Sequence, residues 1–157
     1  MKLDEPFEEK ALRHEFVCIS RDLHRLAHKV IAPICHKHGI TIQQMYVLME
    51  LRIEPHQTVS RLSDKVGILH TNFPQVCRKL EIKGLLKRTQ SETDRRSYIL
   101  SLTEEGESLF LLLDEDINST QGLRFEPGSE ETYEAIIKGF RALHSLIANF
   151  EPSGAKR

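Results

Sequence analysis

Between Leu12 and Ile34 the apolar positions Leu12, Phe16, Ile19, Leu23, Leu26, Val30 and Ile34 recur at spacings of 4, 3, 4, 3, 4 and 4. That rhythm is one stripe of a helix, and it predicts a helix from about Phe7 to His36. The element is roughly twice the mean helix length. Its remaining faces are largely charged, so the stripe needs a partner surface from this chain or another. Pro33 is expected to bend its end.

A second helix opens at Thr41, where "TIQQ" is a capping box and Ile40 and Met45 are placed for a hydrophobic staple. "EPHQ" ends it. Thr58 caps a short third helix with Val59, Leu62 and Val66 inward, and Gly67 stops it. A fourth helix is expected from near Thr71 to Gly84, with Phe73, Val76 and Leu80 inward. Pro74 falls in its first turn, where a missing N–H is tolerated.

The period then changes to two. "LLKRTQ" (85–90) is expected to pair with "RRSYILSL" (95–102) as a hairpin with its tip at 91–94, and Tyr98, Leu100 and Leu102 share one face. Thr103 caps the next helix, with Glu104 and Glu105 in its first turn and Leu109, Leu112, Leu113 and Ile117 along it. After "QGLRFEPGS", Ser129 caps a last helix with the stripe Tyr133, Ile136, Ile137, Phe140, Leu143, Ile147, Phe150. The tail "EPSGAKR" is expected to fray.

The expected fold is therefore mainly α with a small β-hairpin wing. A winged helix-turn-helix lobe spans 39–102 in a single compact chain, with helical segments 1–38 and 103–157 on either side.

Composition sharpens this picture through distribution. The net charge is only -1, yet residues 56–102 carry nine basic and four acidic side chains, while 103–157 carry five basic and eleven acidic. A basic middle between neutral and acidic flanks is a localised electrostatic footprint. The start "MKLDEPFEEK" has no apolar core of a signal peptide, and no run is long enough to span a bilayer. Cys18, Cys35 and Cys77 form no CxxC and read as reduced thiols, which points to the cytoplasm.

On the fourth helix Thr71, Gln75 and Arg78 lie at i, i+4, i+7, flanked by Asn72 and Lys79. Asn and Gln suit adenine edges and Arg suits guanine. Ser60, Arg61 and Lys65 on the preceding helix are placed for phosphates, contacts that position the protein without reading sequence. In the wing, Lys87 and Arg88 lie on one strand and Arg95 and Arg96 on the other. Arg96 is the leading candidate for a minor groove, where arginine gains from negative potential, and Arg95 is read as a phosphate contact. Asp94 is read as an internal partner that orients the Arg96 guanidinium.

The segments "TVSRLSDKVG", "CRKLEIKGLLKR", "DRR" and "LSLTEEG" within 58–106 resemble the MarR (multiple antibiotic resistance regulator) family of transcriptional regulators. The resemblance implies a scaffold helix, a recognition helix, a wing whose Asp-x-Arg pattern maps onto Asp94 and Arg96, and the start of a dimer-forming helix. It also implies a homodimer joined through its first and last helices, bound to a near-palindromic site in double-stranded DNA. Pro74 in the recognition helix departs from the family pattern.

Three classes of signal remain open. Oxidant sensing would use Cys18 or Cys77. However, the positions matching the family's peroxide-sensing branch fall on Val17, Ile31 and Ile42, and Cys18 points about 100° away from the first of these. Metal sensing would use His24 and His28 at i, i+4, with Cys35, His36 and His38 nearby, but no full ligand set is visible. Sensing of a small aromatic or anionic effector would use an apolar pocket lined by His38, Ile42, Met45, Tyr46 and Met49, and this reading is preferred.

Two other functions compete with DNA binding. A winged-helix module that binds protein is disfavoured by the basic excess in residues 56–102. An enzyme is disfavoured because no nucleophile elbow, metal motif, phosphate loop or cofactor signature appears.

Overall fold

The computed structural model describes residues 5–91, 94, 96–120 and 130–148, with side chains from Lys10 to Ser145 within those ranges. The chain divides into two units, 1–123 and 124–157.

In the first unit, helix α1 (Glu5–Leu26) runs through a π-helical turn (Ala27–Ile31) into α2 (Ala32–Lys37). The expected long helix is thus an unbroken helical run that is locally underwound. The Ala32 N–H donates to the Ala27 carbonyl, five residues back. This turn sits immediately before Pro33, whose ring lacks an N–H and would collide with the carbonyl of Lys29 in a regular helix. Leu12, Phe16, Ile19 and Leu23 of the stripe are exposed in the single chain, whereas Ile31 and Ile34 pack on the core.

Helix α3 (Ile42–Ile53) opens on the expected capping box. Thr41 Oγ1 accepts the Gln44 N–H at 3.3 Å, and Gln44 Oε1 accepts the Thr41 N–H at 3.0 Å. Ile40 and Met45 are both in the core. α4 (Val59–Val66) is capped by Thr58 and ends at Gly67, whose φ of 69° is left-handed. α5 (Phe73–Ile82) starts two residues later than the pattern indicated. Thr71 and Asn72 lie in the preceding turn, because Pro74 takes the second helical position. Its buried stripe is Phe73, Cys77 and Leu80, and Val76 is only half-buried.

The sheet has three strands in the order β1-β3-β2: β1 (Gln57–Thr58), β2 (Leu86–Gln90) and β3 (Tyr98–Leu102). Antiparallel pairing sets Leu86 opposite Leu102 and Gln90 opposite Tyr98, so the tip spans 91–97, longer than expected. β1 was not foreseen. Two residues carry no alternation, and their pairing, Gln57 with Leu100 and Thr58 with Ile99, is wholly non-local. The buried Gln57 side chain ties β1 to the end of α3 by donating to the carbonyls of Glu50 (3.3 Å) and Glu54 (2.8 Å). Along β3, Leu100 and Ser101 are buried and Leu102 is half-buried, but Tyr98 is 44% exposed and does not anchor the wing as expected.

α6 (Glu104–Ser119) packs on α2 and α3. Thr103 caps it, accepting the Gly106 N–H at 3.0 Å and donating to the Gly84 carbonyl at 2.6 Å. A β-carbon at position 106 would lie 2.1 Å from the Leu85 carbonyl oxygen, so glycine is what lets the helix start against the β2 entry. Leu113 is fully buried and Leu109 and Ile117 pack beside it, while Leu112 faces solvent.

In the second unit, α7 (Glu130–Ala148) carries Tyr133, Ile136, Ile137 and Phe140 as an exposed apolar stripe. Ser129, Phe150 and the tail lie outside the described residues, as does the side chain of Ile147.

Candidate nucleic-acid interface

The surface around α5 sorts its cations by partner. Gln75, Arg78 and Lys79 are exposed on the face opposite Phe73, Cys77 and Leu80. Thr71, Asn72 and Ser60 are exposed beside them. Among the described residues, no carboxylate pairs with Arg78 or Lys79.

Lys65 is different. Its ammonium donates to Glu50 Oε1 at 2.8 Å and to Glu54, and Arg61 Nη2 lies 2.7 Å from Glu54 Oε1. The bonds to Glu50 first and Glu54 second hold the Lys65 ammonium above its ordinary range, and the Lys65 bond holds the Glu54 carboxyl below its own. Lys65, expected at a phosphate, is held in this structure by two carboxylates from α3 that the local pattern of α4 could not reveal. Arg88 is also engaged. Its Nε donates to Glu81 Oε1 at 2.8 Å, and its guanidinium lies 5.4 Å from the centre of the Tyr98 ring.

At the wing tip, Asp94 Oδ1 accepts the backbone N–H of Arg96 at 3.0 Å, and Oδ2 accepts the Ser97 hydroxyl. These bonds, the Ser97 hydroxyl first, hold the Asp94 carboxyl below the usual range. No ion pair joins Asp94 to the Arg96 guanidinium. Asp94 thus shapes the turn, as Asp does in an Asx-turn, and does not orient the arginine head as expected. Arg95 lies outside the described residues.

A groove of about 440 Å³ runs between the start of α4 and the wing, lined by Thr58, Ser60, His70, Arg88, Arg96 and Tyr98 among others. Sequence reasoning missed His70 and Tyr98 as members of this surface. The only local signal was the position of His70 just before the fourth helix.

The expected effector pocket is only partly where it was placed. A cavity of about 550 Å³ takes in Ile42 and Tyr46 with Leu23, His24, His28 and His36. His38, Met45 and Met49 do not line it. His38 Nε2 lies 2.7 Å from Asp116 Oδ2 on α6, Met45 is buried with its sulfur 3.6 Å from the Cys35 thiol, and Met49 faces solvent. His24 and His28 meet edge to face with centroids 4.5 Å apart. Among the described residues, no three metal-ligating side chains converge. Cys77 is fully buried, and burial pushes its thiol up to about 12, which leaves it protonated and unreactive. Cys18 is half-buried, 3.6 Å from His14 Nε2.

Comparison with known proteins decides the family. The MarR family model matches residues 38–97. An HTH-type transcriptional regulator of uncharacterised role, YfiV of Bacillus subtilis (strain 168), is 32% identical over 113 residues, covering 72% of this chain and 71% of that protein. The chain belongs to the MarR family. It is a transcriptional regulator with the winged helix-turn-helix fold of that family, which is not a family of enzymes. Two solved structures share the fold. NadR in complex with 4-hydroxyphenylacetate gives a TM-score of 0.68 at 23% identity, covering 86% of this chain and 92% of NadR. Reduced AbfR bound to DNA gives 0.64 at 23% identity, covering 90% and 99%.

Proposed function

We propose that this regulator acts as a homodimeric, sequence-specific repressor that binds a near-palindromic operator in double-stranded DNA and releases it in response to a small aromatic or anionic effector. The carrying observation is the sorting of cations. Arg61, Lys65 and Arg88 are matched to carboxylates, while Arg78, Lys79 and Arg96 have no ion-pair partner among the described residues. An unmatched cation beside Gln75, Asn72 and Thr71 is suited to phosphates and base edges. AbfR, which shares this fold, was solved bound to DNA, and that supports the DNA-binding reading.

Dimerisation is supported by the exposed stripes of α1 and α7, which would leave about eight large apolar side chains in water on a lone subunit. The first helices (1–38) and the last segment (103–157) then form the interface around the DNA-binding lobe (39–102). The three unbridged cysteines suit a cytoplasmic setting. Effector binding is assigned to the cavity of His24, His28 and His36, where Leu23 and Ile42 offer apolar walls and imidazole N–H groups can donate to a carboxylate. NadR, solved with an aromatic acid, supports that ligand class.

Fluorescence anisotropy with the DNA upstream of its own gene tests the reading. Binding should weaken steeply with salt, as counterion release requires. Light scattering should give a dimer, and Phe16→Glu a monomer. An aromatic carboxylate should raise the melting temperature and lower DNA affinity. Salt-independent binding, or none, would remove the DNA assignment.

A further inference from the structure

Helices α1 and α2 form one helical run but meet the rest of the chain differently. α2 packs on α3 and α6, and Ile31, Ile34 and the fully buried Cys35 tie that end to the core. On α1 the side chains of Leu12, Phe16, Ile19 and Leu23 are exposed. The π turn Ala27–Ile31 lies at the passage between the two. Two weaknesses in the backbone coincide there. The Ala32 N–H bonds five residues back to the Ala27 carbonyl, in a turn wider than that of an α-helix. One residue later, Pro33 has no N–H to give to the Lys29 carbonyl. A stretch with a widened turn and a missing donor bends at less cost than the regular helix on either side.

The turn is also built into the wall of the cavity of about 550 Å³. Residues eight apart on a regular helix lie about 80° apart around its axis. The π turn absorbs one residue, so His36 falls only about 20° from His28, and both line the cavity with His24. Leu23 and His24 line it before the turn, Ala32 and His36 after it, and Tyr46 joins from α3.

We propose that the π turn is the hinge on which the DNA-binding lobe moves against α1, and that DNA binding settles its angle. The proposal rests on the DNA-binding reading. With the α1 stripe held by a second subunit, a bend at 27–31 changes the separation of the two lobes and so of their α5 helices. A ligand in the cavity touches both sides of the hinge, and it shifts the population of settings by its difference in affinity for them.

Hydrogen exchange of the full chain, with and without a duplex from upstream of its gene, tests the hinge. Two proteins are compared: wild type, and a variant with Lys29 deleted and Pro33→Ala. Lys29 is exposed, and its deletion turns the bulge into a regular helix that keeps His28 and His36 on one face. In wild type the amides of 27–32 should exchange at least about tenfold faster than those of the α3 core, because they open locally. DNA should slow them by about threefold. In the variant they should be about tenfold slower than in wild type and unchanged by DNA. Should the deletion fail to fold, Pro33→Ala alone restores one donor and should slow wild-type exchange by about threefold. Exchange at 27–32 as slow as in α3 would remove the hinge. Fast exchange that ignores DNA, on a sample whose anisotropy shows the duplex bound, would remove its coupling to DNA, and the proposal falls while DNA binding stands. If the anisotropy shows no binding, the DNA-binding reading falls first and the proposal with it.

Discussion

Asp94 holds Arg96 by its backbone, through a 3.0 Å bond from the Arg96 N–H to Asp94 Oδ1. The acid at the wing tip is therefore a builder of the turn. Asp94→Ala should weaken DNA binding although it removes a negative charge from the interface, because the tip loses both the Arg96 and Ser97 bonds. Arg96→Ala should weaken it strongly. Anisotropy on both variants checks this, and tighter binding by Asp94→Ala would sink the assignment.

Lys65 and Arg78 are both lysine-or-arginine positions on exposed helix faces, but only Arg78 lacks a carboxylate partner among the described residues. Arg78→Ala should cost about 1–3 kcal/mol of specific binding, as loss of a base-reading contact does. Lys65→Gln should leave the salt slope of DNA binding unchanged, since its charge is already neutralised within the fold. A salt titration of the two variants side by side separates these outcomes.

Gly106 sits where any β-carbon would strike the Leu85 carbonyl oxygen at 2.1 Å. Backbone cannot yield as a flexible side chain does, so Gly106→Ala should destabilise the fold by about 1–3 kcal/mol. For a lobe of this size that is a fall in Tm of several degrees, readable by circular dichroism.

Asp116 Oδ2 accepts a hydrogen bond from the Lys37 ammonium at 2.8 Å and meets His38 Nε2 at 2.7 Å on the same oxygen. Lys37 first and His38 second hold its carboxyl below the usual range. A carboxyl depressed in the folded state contributes stability above the unfolded aspartate value of about 3.9, and that contribution is lost as pH falls through the lower folded value. Melting temperature followed from pH 6 down to pH 2 should therefore fall less steeply in Asp116→Asn than in wild type. Parallel acid limbs would show that the pair does not link α2 to α6 in solution.

Much of the fold was legible because its signals are local. The Thr41–Gln44 box, Thr58 with its stop at Gly67, and the Thr103 cap are written in short stretches of chain, and each appears where expected. The α1 stripe was legible as a face needing a partner, since its period is a property of consecutive residues. The candidate site was legible in its motif and less so in its roles. Strand β1 was invisible because two residues have no period of their own. The start of α5 was misplaced because Pro74 fixes the first turn, and the effector cavity was drawn from α3 alone although half its wall is α1 and α2.

The sequence by itself determined the order of helices, the wing, the family, and which faces carry apolar or cationic side chains, since all of these follow from neighbours along the chain. Tertiary structure decided which cations stay available. Lys65 meets Glu50 and Glu54, Arg88 meets Glu81, and His38 meets Asp116, partners 7 to 78 residues apart. Charge pairing depends on distance in space, falling off over a few ångströms, and only packing brings such residues within reach.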